Sequence, residues 1–334
     1  MRLKTDARTP VTILTGYLGS GKTTLLNAML RDEAFADTAV VINEFGEIAI
    51  DHLLVETSIE NALVLQSGCI CCVIRGDLVD TLQDLHRRAR DGSLPPFRRV
   101  VVETTGLADP APIMNSILRD PVLAPSYRLG GVITIVDTLY GAANLAREPE
   151  AVKQVALADR IVLTKLDLAD AGAADALAEH IARINPDARI ERSAPGSIPQ
   201  ALLAEDETLA LGRRATHLDS AALAGTPHAG DVLSCCILRD DSIPQAALVE
   251  WLDSITTLRG ADLLRLKGIV RLDGVSGPVV VHAVHHYVHE PIVLPQWPDE
   301  DARSRIVVIG RNLSVAGLTA TLDAAVRSAR APQP

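Results

Sequence analysis

The sequence has few aromatic residues and no excess of positive charge. Its 334 residues include two Trp, four Tyr and three Phe, too few for the rows of rings on which many nucleic-acid-binding proteins stack bases. Lys and Arg number 32 against 42 Asp and Glu, so the net charge is −10 at pH 7 and gives no global attraction to nucleic acid or an anionic membrane. We therefore expect no nucleic-acid partner and a largely aliphatic core.

Long apolar runs are also missing. No stretch approaches the ~18 to 20 apolar residues of a membrane span, and residues 1–10 lack the apolar segment and cleavage site of a signal peptide. The five cysteines are Cys69, Cys71, Cys72, Cys235 and Cys236. This odd, clustered set makes a poor disulfide framework. We therefore expect a cytoplasmic protein with no membrane partner.

Residues 8–200 alternate apolar strand patterns with helical patterns, as a parallel sheet covered on both faces requires. Strands are predicted at Val11–Thr15, Ala39–Asn43, Ala62–Gln66, Arg99–Glu103, Val132–Asp137, Ile161–Thr164 and Ala188–Arg192. The clearest helices between them are Thr23–Arg31, Gly76–Arg90 and Asp175–Ile184. The pattern predicts an α/β domain with a doubly wound, mostly parallel sheet.

A second domain is predicted after a linker. Periodicity fades over residues 201–230, where Pro, Gly, Ala and Ser accumulate. Residues 231–330 then favour a smaller α+β domain. Its predicted elements are strands at Asp231–Leu238, Leu263–Leu272, Val279–His286 and Ile306–Ile309, and helices at Pro244–Leu258 and Ser314–Ser328.

A phosphate-binding loop is the most specific motif. Residues 16–23, GYLGSGKT, follow an apolar strand and precede the helical segment TTLLNAML, which is the context that such a loop needs. Glycines such as Gly16 and Gly21 let backbone amides turn towards phosphates. Lys22 can neutralise β and γ oxygens, and Thr23 can offer its hydroxyl to Mg²⁺ at a helix N-terminus. The alternative, a glycine-rich turn without a ligand, does not require all these positions to be filled.

Two downstream segments suit the same chemistry. VVVETTG ends an apolar strand with Glu103, a candidate Mg²⁺-side acid, and with Gly106, whose amide can sense a γ-phosphate. IVLTKLD ends another strand with Lys165, whose stem can lie along a purine, and with Asp167, which can accept both guanine N–H groups. Alone, TKLD is equally compatible with a solvated strand end. After a phosphate-binding loop it indicates a guanine selector.

The motif GCICC places three thiols within four residues, after a predicted strand and before a predicted helix. Thiolates suit Zn²⁺ or Cu(I), and three ligands leave one position open for a recipient's ligand. We therefore expect Cys69, Cys71 and Cys72 to bind a metal, with a redox role as the alternative. The Cys235–Cys236 pair lies in the strand pattern VLSCCIL and is expected to pack in the core.

Four histidines, His282, His285, His286 and His289, crowd the second domain. On one strand, alternation would place His282 and His286 on the same face and His285 on the other, so a single four-ligand site is awkward. Metal binding, partner contact and hydrogen-bonded strand histidines all stay open.

Together these motifs resemble the CobW-like family of P-loop GTPases, which includes nitrile hydratase activators and zinc-transferring metallochaperones. The similarity spans about residues 11–312. The matching segments are GYLGSGKTTLLN, INEFGEIAID, SGCICC, ETTGLADPAPI and TKLD, and in the second domain LLRLKGIV, VVVHAVHHYVHEP and WPDEDARSRIVVIG. The combination of phosphate-binding loop, NEFGE and CxCC is its most specific element.

The resemblance implies roles for individual residues. Phosphate and Mg²⁺ binding is implied for Gly19, Ser20, Gly21, Lys22, Thr23 and Thr24. A nucleotide-sensing switch is implied at Glu44, Glu47 and Asp51, a second switch at Glu103 and Gly106, and guanine binding at Lys165 and Asp167. Within this set, Lys22, Thr23 and Glu103 are the candidate catalytic residues.

Two positions depart from the pattern of relatives. Thr164 stands where many GTPases have Asn, and loss of that amide is expected to weaken the link between the base site and the phosphate-binding loop. Ile42 stands where some relatives have a carboxylate, so a possible metal ligand is missing.

The resemblance implies a GTP-hydrolysing metallochaperone that delivers a metal to a client metalloprotein. The absence of a long His-rich insertion favours zinc over cobalt. The alternatives are a regulatory GTPase that acts by partner binding, cobalt insertion linked to cobalamin biosynthesis, and a small-molecule kinase. The guanine-type TKLD argues against the kinase.

Overall fold

The structure is a computed structural model that describes residues 8–43, 55–59, 62–65, 70–73, 77–194 and 232–331. These residues form two compact units. The second unit contains residues 232–331 together with 155–157 and 178–188, and the first contains the rest. None of the helices in these ranges is long and apolar enough to cross a bilayer.

The first unit is built on one nine-stranded sheet. Its strands are β1 Thr9–Thr15, β2 Thr38–Asn43, β3 Val55–Ile59, β4 Ala62–Leu65, β5 Ile70–Val73, β6 Arg99–Thr104, β7 Tyr127–Asp137, β8 Arg160–Thr164 and β9 Arg189–Arg192. They lie in the order β3-β4-β5-β2-β6-β1-β7-β8-β9. Every pairing from β5 to β9 is parallel, whereas β3 and β4 are antiparallel to their neighbours. The predicted doubly wound, mostly parallel sheet is confirmed.

Helices follow most of the parallel strands. They are α1 Lys22–Met29, α2 Leu78–Asp91, α3 Ala111–Arg119, α4 Gly141–Arg147, α5 Pro149–Leu157 and α6 Ala173–Ile184. The helix predicted at Gly76–Arg90 is observed as α2, which begins at Leu78 and ends at Asp91, and local capping explains both ends. The Asp77 carboxylate accepts a hydrogen bond from the Val79 backbone N–H at 2.7 Å, and the helix ends at Gly92, whose φ is 80°.

The central strand β6 combines a buried apolar run with polar residues at its carboxyl end. Val100, Val101 and Val102 are buried, as expected of a strand covered on both faces. The strand nevertheless ends in Glu103 and Thr104, which are both fully buried. Because a carboxylate is almost never buried without a charged or polar partner, the carboxyl end of β6 is a candidate site.

The second unit contains an antiparallel sheet with two helices against it, which confirms the α+β prediction. Its elements are β10 Val232–Arg239, α7 Gln245–Arg259, β11 Leu263–Val270, β12 Val279–Val284, β13 Tyr287–Val288, β14 Ile292–Val293, β15 Ser304–Arg311 and α8 Val315–Arg330. The main strand order is β10-β15-β11-β12-β13, and β14 pairs with β12. Its core is mostly aliphatic, with Trp251 of α7 as the largest buried side chain.

Candidate functional site

Three candidate segments meet at one edge of the first sheet. The phosphate-binding loop follows β1, the ETTG segment closes β6, and TKLD closes β8. The three strands are parallel, so their carboxyl ends share this edge. β1 lies between β6 and β7. At this point the chain connections run to opposite sides of the sheet, and the carboxyl ends of strands at such a point are the usual ligand-binding position in an open α/β sheet.

The loop geometry requires glycine at its first position. Gly16 has φ 150°, and a Cβ there would lie 2.4 Å from the carbonyl oxygen of Ile135 on β7. At the other end, Gly21 has φ 101° and forms the N-cap of α1. The loop therefore packs directly on the sheet and delivers the following residues to the start of α1, where backbone N–H groups favour an anion.

Lys22 is enclosed by this loop. Its side chain is 5% exposed. Its Nζ donates hydrogen bonds to the carbonyl oxygens of Gly16 at 2.9 Å and Tyr17 at 3.3 Å. The loop carbonyls thus hold the positive charge in place inside the loop. Such a preorganised charge stabilises an anion without further reorientation of the protein.

Thr23 and Glu103 bring two oxygen ligands together. The Thr23 hydroxyl lies 3.4 Å from Oε1 of Glu103 and donates a hydrogen bond to it. Adjacent ligands of an octahedral Mg²⁺ ion lie about 3 Å apart. The pair therefore fits Mg²⁺ in both chemistry and spacing. The neighbouring residue in β2, Ile42, is buried and pairs in register with Glu103, so the missing carboxylate of some relatives would stand directly beside this pair.

The second predicted switch touches the phosphate-binding loop. A Cβ added to Gly106 would lie 2.9 Å from both the Cα and the backbone N of Leu18, so only glycine permits this approach. On the other side of Gly106, its carbonyl accepts a hydrogen bond from Gln154 of α5 at 3.1 Å. Sequence reasoning missed Gln154. The available signal was one amide on an otherwise apolar stripe with Ala151 and Ala158.

The predicted guanine selector is presented at the end of β8. Lys165 has φ 56° and its Nζ bonds Oδ2 of Asp137 at 2.6 Å. Asp167 follows in a 3₁₀ turn, Leu166–Leu168, and is exposed, as a side chain that must reach a base has to be. Asp137 is 4% exposed and was not identified from the sequence. Its position at the end of a buried strand, like that of Glu103, was the available signal.

Thr164 connects the base side to the phosphate-binding loop through its hydroxyl, and the expectation that this link is weaker than one made by Asn stays a prediction. Its hydroxyl donates a hydrogen bond to the backbone carbonyl of Ser20 at 2.7 Å. The backbone carbonyl of Thr164 also accepts a hydrogen bond from the N–H of Thr138 at 3.0 Å. The short Thr164 side chain can reach the loop because the two segments lie close together. A Cβ built at Gly21 would lie 3.6 Å from Thr164 Oγ1.

We expect Thr164→Val to lower affinity for guanine nucleotides about 5- to 10-fold, because one partly buried hydrogen bond contributes about 1 kcal/mol. Thr164→Ser keeps the hydroxyl and should bind as the wild type does. Fluorescent GDP titrations of the three proteins test this. Equal affinities in all three would show that the Ser20 hydrogen bond does not support nucleotide binding.

The metal motif is only partly described. Cys69 lies outside the described residues, as do Glu44, Glu47 and Asp51 of the predicted first switch. Cys71 and Cys72 belong to strand β5. The predicted order, after a strand and before a helix, is confirmed by β4 and α2. The strand at residues 70–73 was not predicted, and it forms because its backbone pairs with β2 on one side and β4 on the other.

The other two cysteines are packed in the second unit, as predicted. Cys235 and Cys236 are each 4% exposed and lie in the middle of β10. Burial raises the pKa of both thiols, that of Cys236 to about 11. Neither thiol is therefore a ready metal ligand at neutral pH.

The four histidines divide into two pairs, and the prediction that His282 and His286 share a strand face is wrong. Strand β12 ends at Val284, so His285 and His286 form the turn of a hairpin. Their rings bond the carbonyl oxygens of Gly260 at 3.3 Å and Thr256 at 2.9 Å.

His282 instead faces His289 across the hairpin, with ring centroids 4.2 Å apart. Burial, followed by the neighbouring His289, holds the pKa of His282 well below its usual value. Among the residues that the structure describes, no group of three or more His, Cys, Asp or Glu side chains could hold a metal ion.

Comparison with known proteins agrees with this arrangement. Residues 10–192 match the family model "CobW/HypB/UreG, nucleotide-binding domain", and residues 232–326 match "Cobalamin synthesis protein cobW C-terminal domain". The chain is 33% identical to the zinc chaperone YjiA of Escherichia coli K12 over 303 residues, which cover 91% of this chain and 94% of that protein.

A solved structure of the same relative and one further relative extend the comparison. The crystal structure of Zn(II)-bound YjiA GTPase from E. coli superposes with a TM-score of 0.75 at 31% identity, covering 95% of this chain and 98% of that one. The zinc-regulated GTPase metalloprotein activator 1 of Schizosaccharomyces pombe is 30% identical over 197 residues, covering 57% of this chain and 46% of that protein. With both family models matched along most of its length, this chain belongs to the CobW family of P-loop nucleotide-binding proteins.

Proposed function

We propose that this protein is a GTP-hydrolysing metallochaperone that binds zinc at Cys69, Cys71 and Cys72 and transfers it to a client metalloprotein in the reducing environment of the cytoplasm. Relatives named as a zinc chaperone, a zinc-bound GTPase and a metalloprotein activator support the choice of activity, metal and partner class. GTP and Mg²⁺ are the ligands proposed for the phosphate-binding loop.

One observation carries the proposal. Strand β2 lies between β5, which contains Cys72, and β6, which contains Glu103. Val41 of β2 pairs in register with Cys72 on one side and with Val102 on the other. Adjacent strands lie ~4.8 Å apart, so the backbone at Cys72 lies about 10 Å from the residue that precedes Glu103. A conformational change at the bound nucleotide could therefore reach the thiol motif across three adjacent strands, β6, β2 and β5.

The chain's own residues account for most of phosphoryl transfer. Lys22 and the amides at the start of α1 stabilise charge on the β and γ phosphates. Thr23 and Glu103 hold Mg²⁺, which when bound supplies further positive charge to the same oxygens. Gly106 presents its N–H to the γ-phosphate, and Asp167 and Lys165 select guanine.

Zinc binding that depends on the nucleotide is the decisive test. We expect reduced protein to bind Zn²⁺ tightly in competition with a chelator, and its affinity to differ about 10-fold or more between GDP and a non-hydrolysable GTP analogue, within the usual range of coupling between sites. Replacing the three motif cysteines by Ser should abolish this binding. Cys235→Ser with Cys236→Ser is the matched control and should keep it.

Two results would contradict the proposal. Zinc affinity that is identical in both nucleotides would remove the coupling, because a ligand shifts a conformational equilibrium only through differential affinity. Zinc binding that survives in the triple mutant would place the metal elsewhere. Either result would favour the alternative of a regulatory GTPase that acts by partner binding.

A further inference from the structure

A buried glutamine in α5 holds the segment that contains Gly106. Gln154 is 1% exposed. Its Nε2 donates hydrogen bonds to the backbone carbonyl of Gly106 at 3.1 Å and to that of Ala108 at 3.0 Å. One side-chain amide thus binds two carbonyls that lie two residues apart, immediately after the carboxyl end of β6.

Gln154 is itself fixed to the sheet. Its backbone carbonyl accepts a hydrogen bond from the hydroxyl of Thr134 on β7 at 2.8 Å, and Thr134 is buried. β7 is also the strand whose Ile135 carbonyl excludes a side chain from Gly16. The phosphate-binding loop and the anchor of the Gly106 segment therefore rest on consecutive residues of one strand.

The side-chain chemistry indicates why an amide is needed. Oε1 of Gln154 is buried and has no hydrogen-bond partner among the described residues, and such an atom costs stability. An apolar side chain of the same size would avoid this cost but would leave both carbonyls without their donor. What the amide contributes is therefore the pair of N–H groups directed at Gly106 and Ala108.

We propose that Gln154 is a positioning residue for GTP hydrolysis, whose amide holds the 105–109 segment so that the Gly106 N–H is aimed at the γ-phosphate. This inference rests on the proposed GTPase activity. A peptide unit is rigid and planar, so fixing the Gly106 carbonyl also fixes the Leu107 N–H in the same plane. The Gly106 N–H can then turn only about the φ and ψ bonds of Gly106, which restricts its direction. Gln154 acts through the loop and does not touch the nucleotide.

A second contact with the same segment provides a matched comparison. Lys153, the residue before Gln154, forms an ion pair with Asp109 at 3.1 Å. The two side chains are 27% and 28% exposed, and an ion pair in such a position contributes little. Lys153→Met therefore removes one link between α5 and the segment without touching the carbonyls of Gly106 and Ala108.

The test compares Gln154→Met with Lys153→Met and the wild type. For Gln154→Met we expect kcat to fall about 10- to 100-fold, as a misplaced catalytic group does, and affinity for a non-hydrolysable GTP analogue to fall more than affinity for GDP. GDP affinity should stay within about 2-fold of the wild type, because GDP lacks the phosphate that Gly106 contacts. Lys153→Met should match the wild type in all three measurements.

A loss of GDP and analogue affinity by equal factors would overturn the inference, since it would indicate a general structural role. Unchanged kcat in folded Gln154→Met would overturn it as well. If that variant does not fold, Gln154→Asn keeps an uncharged amide that is one methylene too short to reach both carbonyls, and it should show the same selective loss for the analogue. A wild type without GTP turnover would refute the proposed function itself, a result distinct from both others.

Discussion

Lys22→Met should reduce the rate of GTP hydrolysis about 10³-fold, the cost of removing a charge that stabilises a transferring phosphoryl group. The ammonium is enclosed by the loop that it serves, with its donors already directed at the carbonyls of Gly16 and Tyr17. Because the developing negative charge would form within the same enclosure, no other described lysine can replace it. Release of phosphate under saturating GTP and Mg²⁺ measures the effect.

Lys22→Arg is the informative companion to this variant. It keeps the charge, but Lys22 is only 5% exposed, and the planar guanidinium is larger and has a different donor geometry. We expect this variant to be nearly as slow as Lys22→Met and to unfold at a lower temperature than the wild type, because a larger side chain must fit the same enclosed site. Near-normal turnover of Lys22→Met would show that the phosphates bind elsewhere, whereas near-normal turnover of Lys22→Arg would show that a positive charge alone is sufficient at this position.

Asp167→Asn should change the base preference from guanine to xanthine. A carboxylate accepts both N–H groups of guanine, whereas an amide offers one acceptor and one donor, which match the N1–H and O2 of xanthine. Two hydrogen bonds to a charged group are worth about 3 kcal/mol or more, so we expect GTP affinity to fall about 100-fold or more. Competition between GTP and XTP for a fluorescent nucleotide measures both effects.

The control for the Asp167→Asn substitution is a second aspartate in the same loop. Asp170 is exposed, as Asp167 is, and stands three residues further along the chain. Asp170→Asn removes an equal charge and should leave the preference for GTP unchanged. If Asp167→Asn still prefers GTP, the guanine edge is read by other groups, and the assignment of this loop as the base selector is wrong.

The parallel strands that position the site could be predicted because each is an apolar run that ends at a polar residue. β6 and β8 have these runs, and their last residues are Glu103–Thr104 and Thr164. Strand β3, Val55–Ile59, was missed. Its sequence VETSI has three polar residues and no apolar run, and its assignment depends on antiparallel pairing with β4, which no local pattern shows.

Other features depend on contacts between distant residues. The turn at His285–His286 lacks the Asn-Gly or Asp-Gly signal of a tight hairpin, so the pairing of His282 with His289 was not predictable from alternation. The bond from Thr164 to Ser20 joins residues 144 positions apart. The bonds from Gln154 to Gly106 and Ala108 span 48 and 46 positions. Sequence motifs identify which side chains reach the phosphates, whereas the supporting contacts emerge only from the packed sheet.

Because Cys235 and Cys236 are buried, the reactive thiols of the folded protein report on the metal motif alone. Both thiols are covered and have raised pKa values, so neither presents the thiolate that disulfide reagents and alkylating agents attack. A colorimetric thiol assay on folded protein is therefore silent for this pair, and every fast-reacting equivalent comes from Cys69, Cys71 or Cys72. Mass spectrometry after brief alkylation can accordingly report how far this motif is occupied by metal during turnover, without mutating either set of cysteines.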